Sequence, residues 1–185
     1  MKKYIYTFII VFIGYFFINS IYIEMNKDKT PSKAKRLECQ RKVSSFERAF
    51  NTDDISLAQD QIKSGNNNFT SSIEKSIYSE SKLFNYISLV DTDKMMLENL
   101  NSYIKKQNKK NDNYVFSYYI YENDKKDPGK KTAKSKDYAG YIVFEVQNKN
   151  KQTIYKVQID FMNNKGLDIV DTIRCTVNSF MSYNR

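Results

Sequence analysis

Histidine and tryptophan are absent from this chain of 185 residues, and glycine (5), proline (2) and cysteine (2) are scarce. Without histidine, the chain cannot form a Ser-His-Asp triad, use a histidine general base or bind a metal through imidazole. The dispersed glycines form no phosphate-binding loop, and the two cysteines form no C-x-x-C motif. These absences remove many enzyme classes, so we predict a non-enzymatic protein without a metal or a cofactor.

Two acidic pairs remain as candidates for catalysis. Asp53 and Asp54 stand at the start of a predicted helix, where carboxylates interact with free backbone N–H groups. Asp168 and Asp171 flank the start of a predicted strand. Since neither pair has a nucleophile or an acid partner beside it, we predict no catalytic residue.

The run Tyr4–Ile23 contains no charged side chain. Twenty helical residues span roughly 30 Å at about 1.5 Å each, which matches the core of a bilayer. A cleaved signal peptide has a shorter apolar core, about 7–15 residues, and small residues at the cut, whereas Asn19 and Tyr22 stand there in this chain. The run predicts an uncleaved, single-pass signal-anchor helix over residues 1–23, with cleavage near Ser20 as the alternative.

The charges on the two sides of this run give conflicting predictions of its orientation. Lys2 and Lys3 precede it, as in the export signals of bacterial proteins. Seven basic residues follow it between Lys27 and Lys42, and the positive-inside rule would keep that flank in the cytoplasm. Charge alone leaves both orientations open.

The rest of the chain has the composition of a folded domain. Hydrophobic residues make up 41% of the sequence and aromatic residues 15%, too much for a disordered chain. About 160 residues suffice for one core, so we predict a tether at 24–30 and a single domain at 31–185. The formal net charge of +9 is compatible with anionic lipid, an acidic partner or nucleic acid, and equally with simple solubility.

Helical spacing predicts about four helices in the first part of this domain. The first begins at Pro31, and four residues lie on one face of it: Cys39, Val43, Phe46 and Phe50. A second helix over 53–64 ends before Gly65. Ser71–Glu74 has the pattern of a capping box and would begin the third helix. The fourth begins at Asp91 or Thr92.

From Asn113 the spacing of apolar residues changes from helical to alternating. Three strands with one apolar side are predicted: 114–121, 138–147 and 153–161. A fourth strand is predicted over 167–180, and tight turns at Asn148–Lys151 and Asn163–Gly166 join the last three. The sequence therefore predicts an α+β domain in which the helices pack on a four-stranded antiparallel meander.

Lysines are concentrated at two places in the domain. The long connection Glu122–Asp137 contains a Pro-Gly turn and six lysines, and we predict a solvated loop there. More lysines follow the predicted fourth helix. Together these residues form a candidate basic patch for an acidic protein or anionic lipid: Lys105, Lys106, Lys109, Lys110, Lys125, Lys126, Lys130, Lys131, Lys134 and Lys136.

The two cysteines face the predicted core by independent patterns. Cys39 shares a helical face with Val43, and Cys175 alternates with Ile173 and Val177 on the predicted last strand. This placement predicts a Cys39–Cys175 disulfide, with two buried free thiols as the alternative. Structural disulfides occur in oxidising compartments. The predicted bond therefore favours a periplasmic domain on a bacterial inner-membrane anchor, with Met1 inside.

Three functions stay open on the sequence. We favour a membrane-anchored assembly or adaptor component with a basic surface for a partner. The second is a small-ligand-binding periplasmic module with a pocket between sheet and helices. The third is a cytoplasmic-facing, membrane-tethered binder of nucleic acid or anionic lipid. Nucleic acid is the less expected partner, because tyrosine-rich strands are typical of half-buried sheets.

Overall fold

The computed structural model of the chain describes residues 36–105 and 112–183. The chain divides into two compact units, Met1–Lys35 and Arg36–Arg185, and all described residues belong to the second. The predicted anchor at 1–23 and the predicted tether at 24–30 lie outside the described residues. In the described ranges, no helix combines the length and the apolar character needed to cross a membrane.

Five strands form one mixed sheet in the order β1-β5-β4-β3-β2. Their bounds are β1 (Ser45–Ala49), β2 (Phe69–Glu74), β3 (Tyr114–Glu122), β4 (Gly140–Asn148) and β5 (Thr153–Phe161). β3, β4 and β5 form an antiparallel meander, which confirms the three strands predicted there. β1 adds to β5 antiparallel, and β2 adds to β3 parallel. The predicted four-stranded antiparallel sheet is therefore wrong in strand number and in direction.

Five helices accompany the sheet in the described part of the chain. They are α1 (Glu38–Lys42), α2 (Thr52–Lys63), α3 (Leu89–Asn101), α4 (Lys134–Asp137) and α5 (Ile169–Met181). α2 and α3 confirm the second and fourth predicted helices. Asn51 caps α2 by accepting from the N–H of Asp54 (3.4 Å), and Gly65 follows its end with a φ of +86°.

The predicted first helix is wrong beyond Lys42, because the chain there turns into the strand β1. Phe46 and Phe50, expected in the core, are 66% and 51% exposed. Arg48 stands midway between them on the same exposed side, and its guanidinium lies 4.8 Å from the centroid of the Phe50 ring. Spacing of four fits one helical face and also one side of a strand, and pairing of Phe46 with Gln158 in β5 favours the strand.

The predicted third helix is also wrong. Ser71–Glu74 belongs to β2, in which Ser71 pairs with Tyr118 of β3. Only a 3₁₀ turn at Leu83–Asn85 is helical in the segment between β2 and α3. The capping-box pattern is local, whereas the partner strand β3 comes much later in the sequence, and pairing with it determines the outcome.

The predicted last strand is the helix α5. Its buried apolar residues follow a helical spacing: Ile169, Ile173, Val177 and Phe180. The polar residues among them are satisfied within the helix, since Thr172, Thr176 and Ser179 donate to the carbonyl four residues earlier, at 2.7–2.9 Å. The turn at Asn163–Gly166 is confirmed, with a φ of +68° at Gly166, but it leads into a helix.

The three long helices α2, α3 and α5 pack on one face of the sheet, which we call the inner face. Phe180 of α5 contacts three rings of the sheet, with centroid distances of 6.3 Å to Phe116, 5.7 Å to Phe144 and 5.0 Å to Tyr155. All four side chains are fully buried, and each stabilises the fold by about 1.5–3 kcal/mol. The predicted two-layer arrangement is confirmed.

The predicted disulfide between Cys39 and Cys175 is present, with an S–S distance of 2.08 Å and a Cα–Cα distance of 5.9 Å. Cys175 faces the core from α5, where a strand was expected. Gln40 strengthens the same junction by donating to the Ser179 hydroxyl at 3.0 Å. α1 is thereby fixed to α5, and the cross-link closes most of the described domain into one loop.

Candidate functional site

The outer face of the sheet is the main candidate for a binding site, because α2, α3 and α5 all lie on the inner face. On β3, the inward residues are those predicted to share one side: Tyr114, Phe116, Tyr118 and Ile120. The alternate residues of β3 and β4 point outward and include Tyr119, Tyr121 and Tyr141. With Tyr138, which precedes β4, they form what we call the tyrosine face.

Tyr141 is the centre of the tyrosine face. It pairs across the strands with Tyr121, and the two rings stack with a centroid distance of 4.5 Å and an interplanar angle of 20°. Tyr119 and Tyr138 each lie 6.2 Å from the Tyr141 ring. All four are half-buried. The register of β3 against β4 therefore produces a continuous aromatic surface.

Burial raises the pKa of three tyrosines of this face, Tyr119, Tyr138 and Tyr141, so their hydroxyls stay protonated at neutral pH. Burial raises the pKa of Tyr141 well above its ordinary value of 10, and the neighbouring tyrosines and Glu74 raise it further. Burial also raises the pKa of Tyr119, followed by the charge of Glu74 and then that of Glu145. The rings are neutral hydrogen-bond donors with electron-rich faces.

Carboxylates flank these rings on both sides. Glu74 pairs with Tyr121 from β2, and Asp160 pairs with Tyr141 from β5. Asp160 is 4% exposed, and burial raises its pKa. Glu145 lies on the same side of β4 as Tyr141, and its carboxylate lies 3.6 Å from the Lys156 ammonium. Aromatic rings beside carboxylates attract cations.

One cation of the chain already occupies part of this surface. The Lys130 ammonium lies 5.0 Å from the centroid of the Tyr121 ring and 5.9 Å from that of Tyr138. It also donates to the Tyr121 hydroxyl (2.9 Å), the Asp124 carbonyl (3.1 Å) and the side-chain oxygen of Asn123. Lys130 thus fixes the middle of the lysine-rich loop against the edge of the tyrosine face.

Two inner-face tyrosines, Tyr114 and Tyr118, differ in that carboxylates of helices accept from their hydroxyls. Tyr114 donates to Asp54 of α2 at 3.0 Å, and Tyr118 donates to Asp93 of α3 at 2.6 Å. Burial, followed by the bond to Asp54, raises the pKa of Tyr114 to about 12. These two tyrosines attach helices to the sheet, whereas the outer ones line an open surface.

Among the described lysines of the candidate basic patch, Lys105 lies apart from the six lysines of the loop. Lys106, Lys109 and Lys110 lie outside the described residues. Lys105 donates its backbone N–H to the Lys63 carbonyl (2.9 Å), near the beginning of β3. The remaining lysines of the patch follow the other end of that strand: Lys125, Lys126, Lys130, Lys131, Lys134 and Lys136. Nine residues of strand, roughly 27 Å, separate the two groups.

The two acidic pairs bind backbone and neighbouring side chains. Asp54 accepts from the side-chain amide of Asn51 at 2.8 Å, in addition to its bond from Tyr114. Asp168 accepts from the N–H of Met162 at 2.7 Å and from that of Asn163 at 3.2 Å. Over residues 36–105 and 112–183, no group of three or more His, Cys, Asp or Glu side chains could hold a metal ion.

Sequence reasoning missed the tyrosine face as a site, although its signal is present. "YVFSYYIY" places tyrosines on both sides of a strand, since Tyr114 and Tyr118 alternate with Tyr119 and Tyr121. An aromatic residue on the side opposite the core side has no core to fill. The carboxylates beside it could not be found in this way, because Glu74 and Asp160 arrive from strands distant in sequence.

No protein-family model matches the chain, and no curated protein matches it. Among solved structures, the chain is similar to a point variant of the PelC dodecamer from Paraburkholderia phytofirmans. The two share 11% sequence identity and a TM-score of 0.35, over 76% of this chain and 98% of that chain. A likeness at this level carries no inference about function.

Proposed function

We propose that this chain is a membrane-anchored, non-enzymatic assembly or adaptor component that binds a cationic segment of a partner protein on its tyrosine face. One observation carries this proposal. The long helices all pack on the inner face of the sheet, and four tyrosines flanked by carboxylates line the other face. Tyrosine is enriched in protein interfaces, because it combines a large rigid surface with a hydroxyl donor.

The chemistry of this face favours lysine or arginine from the partner. Lys130 shows the mode of contact, since its ammonium lies over Tyr121 and Tyr138. Tyr119 and Tyr141 offer the same rings beside Glu74 and Glu145. A cation over such a ring contributes about 0.5–2 kcal/mol, depending on how far it is desolvated.

A ligand pocket between sheet and helices receives less support. Phe116, Phe144, Tyr155 and Phe180 fill that layer in direct ring contact, and each is fully buried. A cleft of about 480 Å³ lies instead at the ends of the strands, between Leu83, Glu122 and Asn164. A second cleft, of about 360 Å³, lies beside the disulfide. The inner layer thus serves as a core.

The disulfide supports a periplasmic location for the domain. Cys39 and Cys175 are bonded, and such bonds persist in oxidising compartments. With the predicted anchor at 1–23, this favours a single-pass protein of a bacterial inner membrane with its C-terminal domain outside the cytoplasm. The same bond weighs against the cytoplasmic-facing, nucleic-acid-binding alternative.

The test measures binding of a fluorescent hexa-arginine peptide to the full-length chain in detergent micelles, by fluorescence anisotropy. We expect saturable binding that Glu74→Lys weakens by about fivefold, the equivalent of roughly 1 kcal/mol. Glu98→Lys is the matched control, because Glu98 is exposed on α3 and the substitution changes the net charge equally. The control should bind the peptide like the unaltered chain.

Three results would each contradict the proposed function. One is equal weakening by Glu74→Lys and Glu98→Lys, which would show that only net charge matters. The second is a lack of hexa-arginine binding, and the third is equal binding of hexaglutamate. Tyr119→Ala tests the same surface independently of charge, because it removes one ring of the tyrosine face and leaves the net charge unchanged.

A further inference from the structure

Three connecting segments meet where β2, β3 and β5 end: residues 75–88, 122–126 and 162–168. We call this region the loop end. The segments touch one another closely. A Cβ placed on Gly166 would approach Ile87 Cδ1 to 2.2 Å, and Lys125 Nζ donates to the side-chain oxygen of Asn164 at 3.3 Å.

Glu122 holds the first segment by its backbone. This buried carboxylate accepts from the N–H groups of Ser76 (3.2 Å), Lys82 (2.8 Å) and Leu83 (2.9 Å). Burial alone would raise the pKa of Glu122, but these bonds and one from the Ser81 side chain outweigh burial and lower it. Both oxygens of one carboxylate thereby tie the two ends of the segment 76–83 together.

Asp124 holds the middle of the same segment. It accepts from the N–H groups of Ile77 (2.7 Å) and Tyr78 and from the hydroxyl of Ser79 (2.7 Å). These bonds outweigh the effect of burial and lower the pKa of Asp124 from 3.8 to about 2. The side chains of this segment are therefore presented on a fixed backbone.

The fixed backbone presents large apolar side chains to solvent. Five residues at or beside the loop end are between 58% and 86% exposed: Ile77, Tyr78, Tyr86, Val90 and Leu167. Exposed apolar side chains grouped in this way mark an interaction site. Gly166 packs against Ile87, and the Lys165 ammonium lies 5.7 Å from the centroid of the Tyr86 ring, so the segments that carry Leu167 and Tyr86 are neighbours.

Exposed lysines occur in all three segments of the loop end. The exposed cations of the three segments are Lys75, Lys82, Lys125, Lys126 and Lys165. Three of the nearby carboxylates, Glu122, Asp124 and Asp168, are occupied by backbone N–H groups. The exposed acids in or next to the segments are Glu74, Glu80 and Asp91, against five exposed lysines, so the solvent-facing charge of the loop end is positive. Its complement is an anionic surface with an apolar layer beneath.

The described chain also begins at this end. Arg36 donates to the carbonyl of Ser45, the first residue of β1, at 3.5 Å. The Ser44 carbonyl accepts from the backbone N–H of Asp160, near the end of β5. With the predicted anchor at 1–23, the twelve residues 24–35 span at most roughly 40 Å when fully extended. A bilayer holding that anchor lies within reach of the loop end.

We infer that the loop end lies on an anionic membrane surface. Its exposed apolar side chains enter the boundary between headgroups and acyl chains, and its lysines contact anionic headgroups. The inference adds a lipid-contacting surface to the proposed function and does not depend on the tyrosine face. A peptide-binding failure and a lipid-binding failure are therefore separate results.

The absence of tryptophan from the chain provides a reporter for this inference. Two full-length variants each carry one tryptophan, Leu167→Trp at the loop end and Leu57→Trp on α2. Both leucines are exposed, which makes the second a matched control. Each variant is reconstituted into phosphatidylcholine vesicles with or without phosphatidylglycerol, and brominated acyl chains serve as the quencher. The predicted anchor tethers both reporters equally, so only proximity of each position to the bilayer separates them.

We expect quenching and a blue shift at position 167 in phosphatidylglycerol vesicles, and neither at position 57. High salt, or Lys82→Glu combined with Lys125→Glu, should reduce quenching at position 167 to the level of the control. Each lysine near an anionic surface corresponds to about fivefold in affinity. Equal quenching at the two positions overturns the inference, as does quenching at position 167 that ignores phosphatidylglycerol. Absence of quenching at both positions overturns it too.

Discussion

The tyrosine face and the loop end lie on the same sheet, yet their chemistry is opposite. The tyrosine face has neutral rings beside carboxylates, and strand register places them together. The loop end has exposed apolar side chains beside lysines, and two buried carboxylates hold its backbone. Acidic and basic side chains nearly balance over the described residues, so the formal charge of +9 describes neither surface. The local arrangement of charges determines which partner fits.

The largest expected effect tests whether the two regions share one cooperative scaffold. Cys39→Ser with Cys175→Ser removes the cross-link between α1 and α5. The chain-entropy relation gives a loss of about 4–5 kcal/mol in the free energy of unfolding, because the closed loop spans 136 positions. Urea unfolding of the full-length chain measures it. The double variant should match the reduced unaltered chain, and equal midpoints with and without reductant would contradict the expected role of the bond.

A smaller effect should separate the two regions. Glu122→Gln places an amide opposite backbone N–H donors that now meet a carboxylate. We expect a loss of about 2–3 kcal/mol and faster hydrogen exchange of the 76–83 amides. Exchange in β4 should change far less. Glu80→Gln is the control, since Glu80 is exposed, and it should stay within about 0.5 kcal/mol. Equal loss of protection in both regions would show that Glu122 does not stabilise the loop end selectively.

Lowering the pH should change the stability of the two regions in opposite directions. The folded-state pKa values of Glu122 and Asp124 are lowered, so their stabilisation is present above the ordinary carboxylate pKa and is lost as pH falls through the folded values. For Asp124 that window runs from about pH 4 to about pH 2. The pKa of Asp160 beside the tyrosine face is raised, so protonation there favours the folded state.

Hydrogen exchange between pH 5 and pH 2 measures this difference, after correction for the intrinsic pH dependence of exchange. Amides of Ile77 and Leu83 should lose protection first, while those around Tyr141 persist. Simultaneous loss in both regions, or earlier loss at Tyr141, would contradict the assignment of the acid-sensitive carboxylates.

The smallest effect concerns the contact between the lysine-rich loop and the tyrosine face. Lys130→Met keeps the length of the side chain but removes its cation from the rings of Tyr121 and Tyr138. We expect a loss of about 1 kcal/mol or less and faster tryptic cutting at Lys131. Lys149→Met, at an exposed turn, is the control and should leave both unchanged. Unaltered cutting in the Lys130 variant would show that the contact does not restrain the loop.

The sequence was sufficient for the elements whose pattern is local and repeated. The middle of β5 alternates clearly, since Tyr155, Val157 and Ile159 are buried around Lys156 and Gln158. α2 has buried apolar residues at helical spacing, Ile55, Ala58 and Ile62, and Gly65 after its end. The disulfide was predicted correctly, although Phe46 and Phe50, which placed Cys39 on a core-facing helix, are exposed in the structure.

The errors occurred where a local pattern fitted two structures. Ile173, Cys175 and Val177 have the spacing of one side of a strand. Ile173 and Val177 also belong, with Ile169 and Phe180, to one face of a helix. Phe46 and Phe50 fit either a helix face or a strand side. In each case long-range pairing or packing made the choice, and neither is visible in a short window.

Contacts at the two surfaces were beyond sequence reasoning for the same reason. The Glu122 carboxylate accepts from the backbone N–H groups of Ser76 and Lys82, which lie about forty positions earlier in the sequence. The carboxylate was available in the sequence, but its donors are backbone N–H groups whose direction depends on the fold. Of the described lysines in the candidate basic patch, Lys105 is separated from the loop lysines by β3, which a reading of local composition could not foresee.

Photo-crosslinking in native membranes tests the separation of the two surfaces most directly. A benzophenone amino acid replaces Tyr119 in one full-length variant and Leu167 in another. We predict a protein adduct at position 119 whose yield Glu74→Lys reduces and Glu98→Lys does not, and a lipid adduct at position 167. The same protein adduct at both positions, or lipid at position 119, would contradict the account.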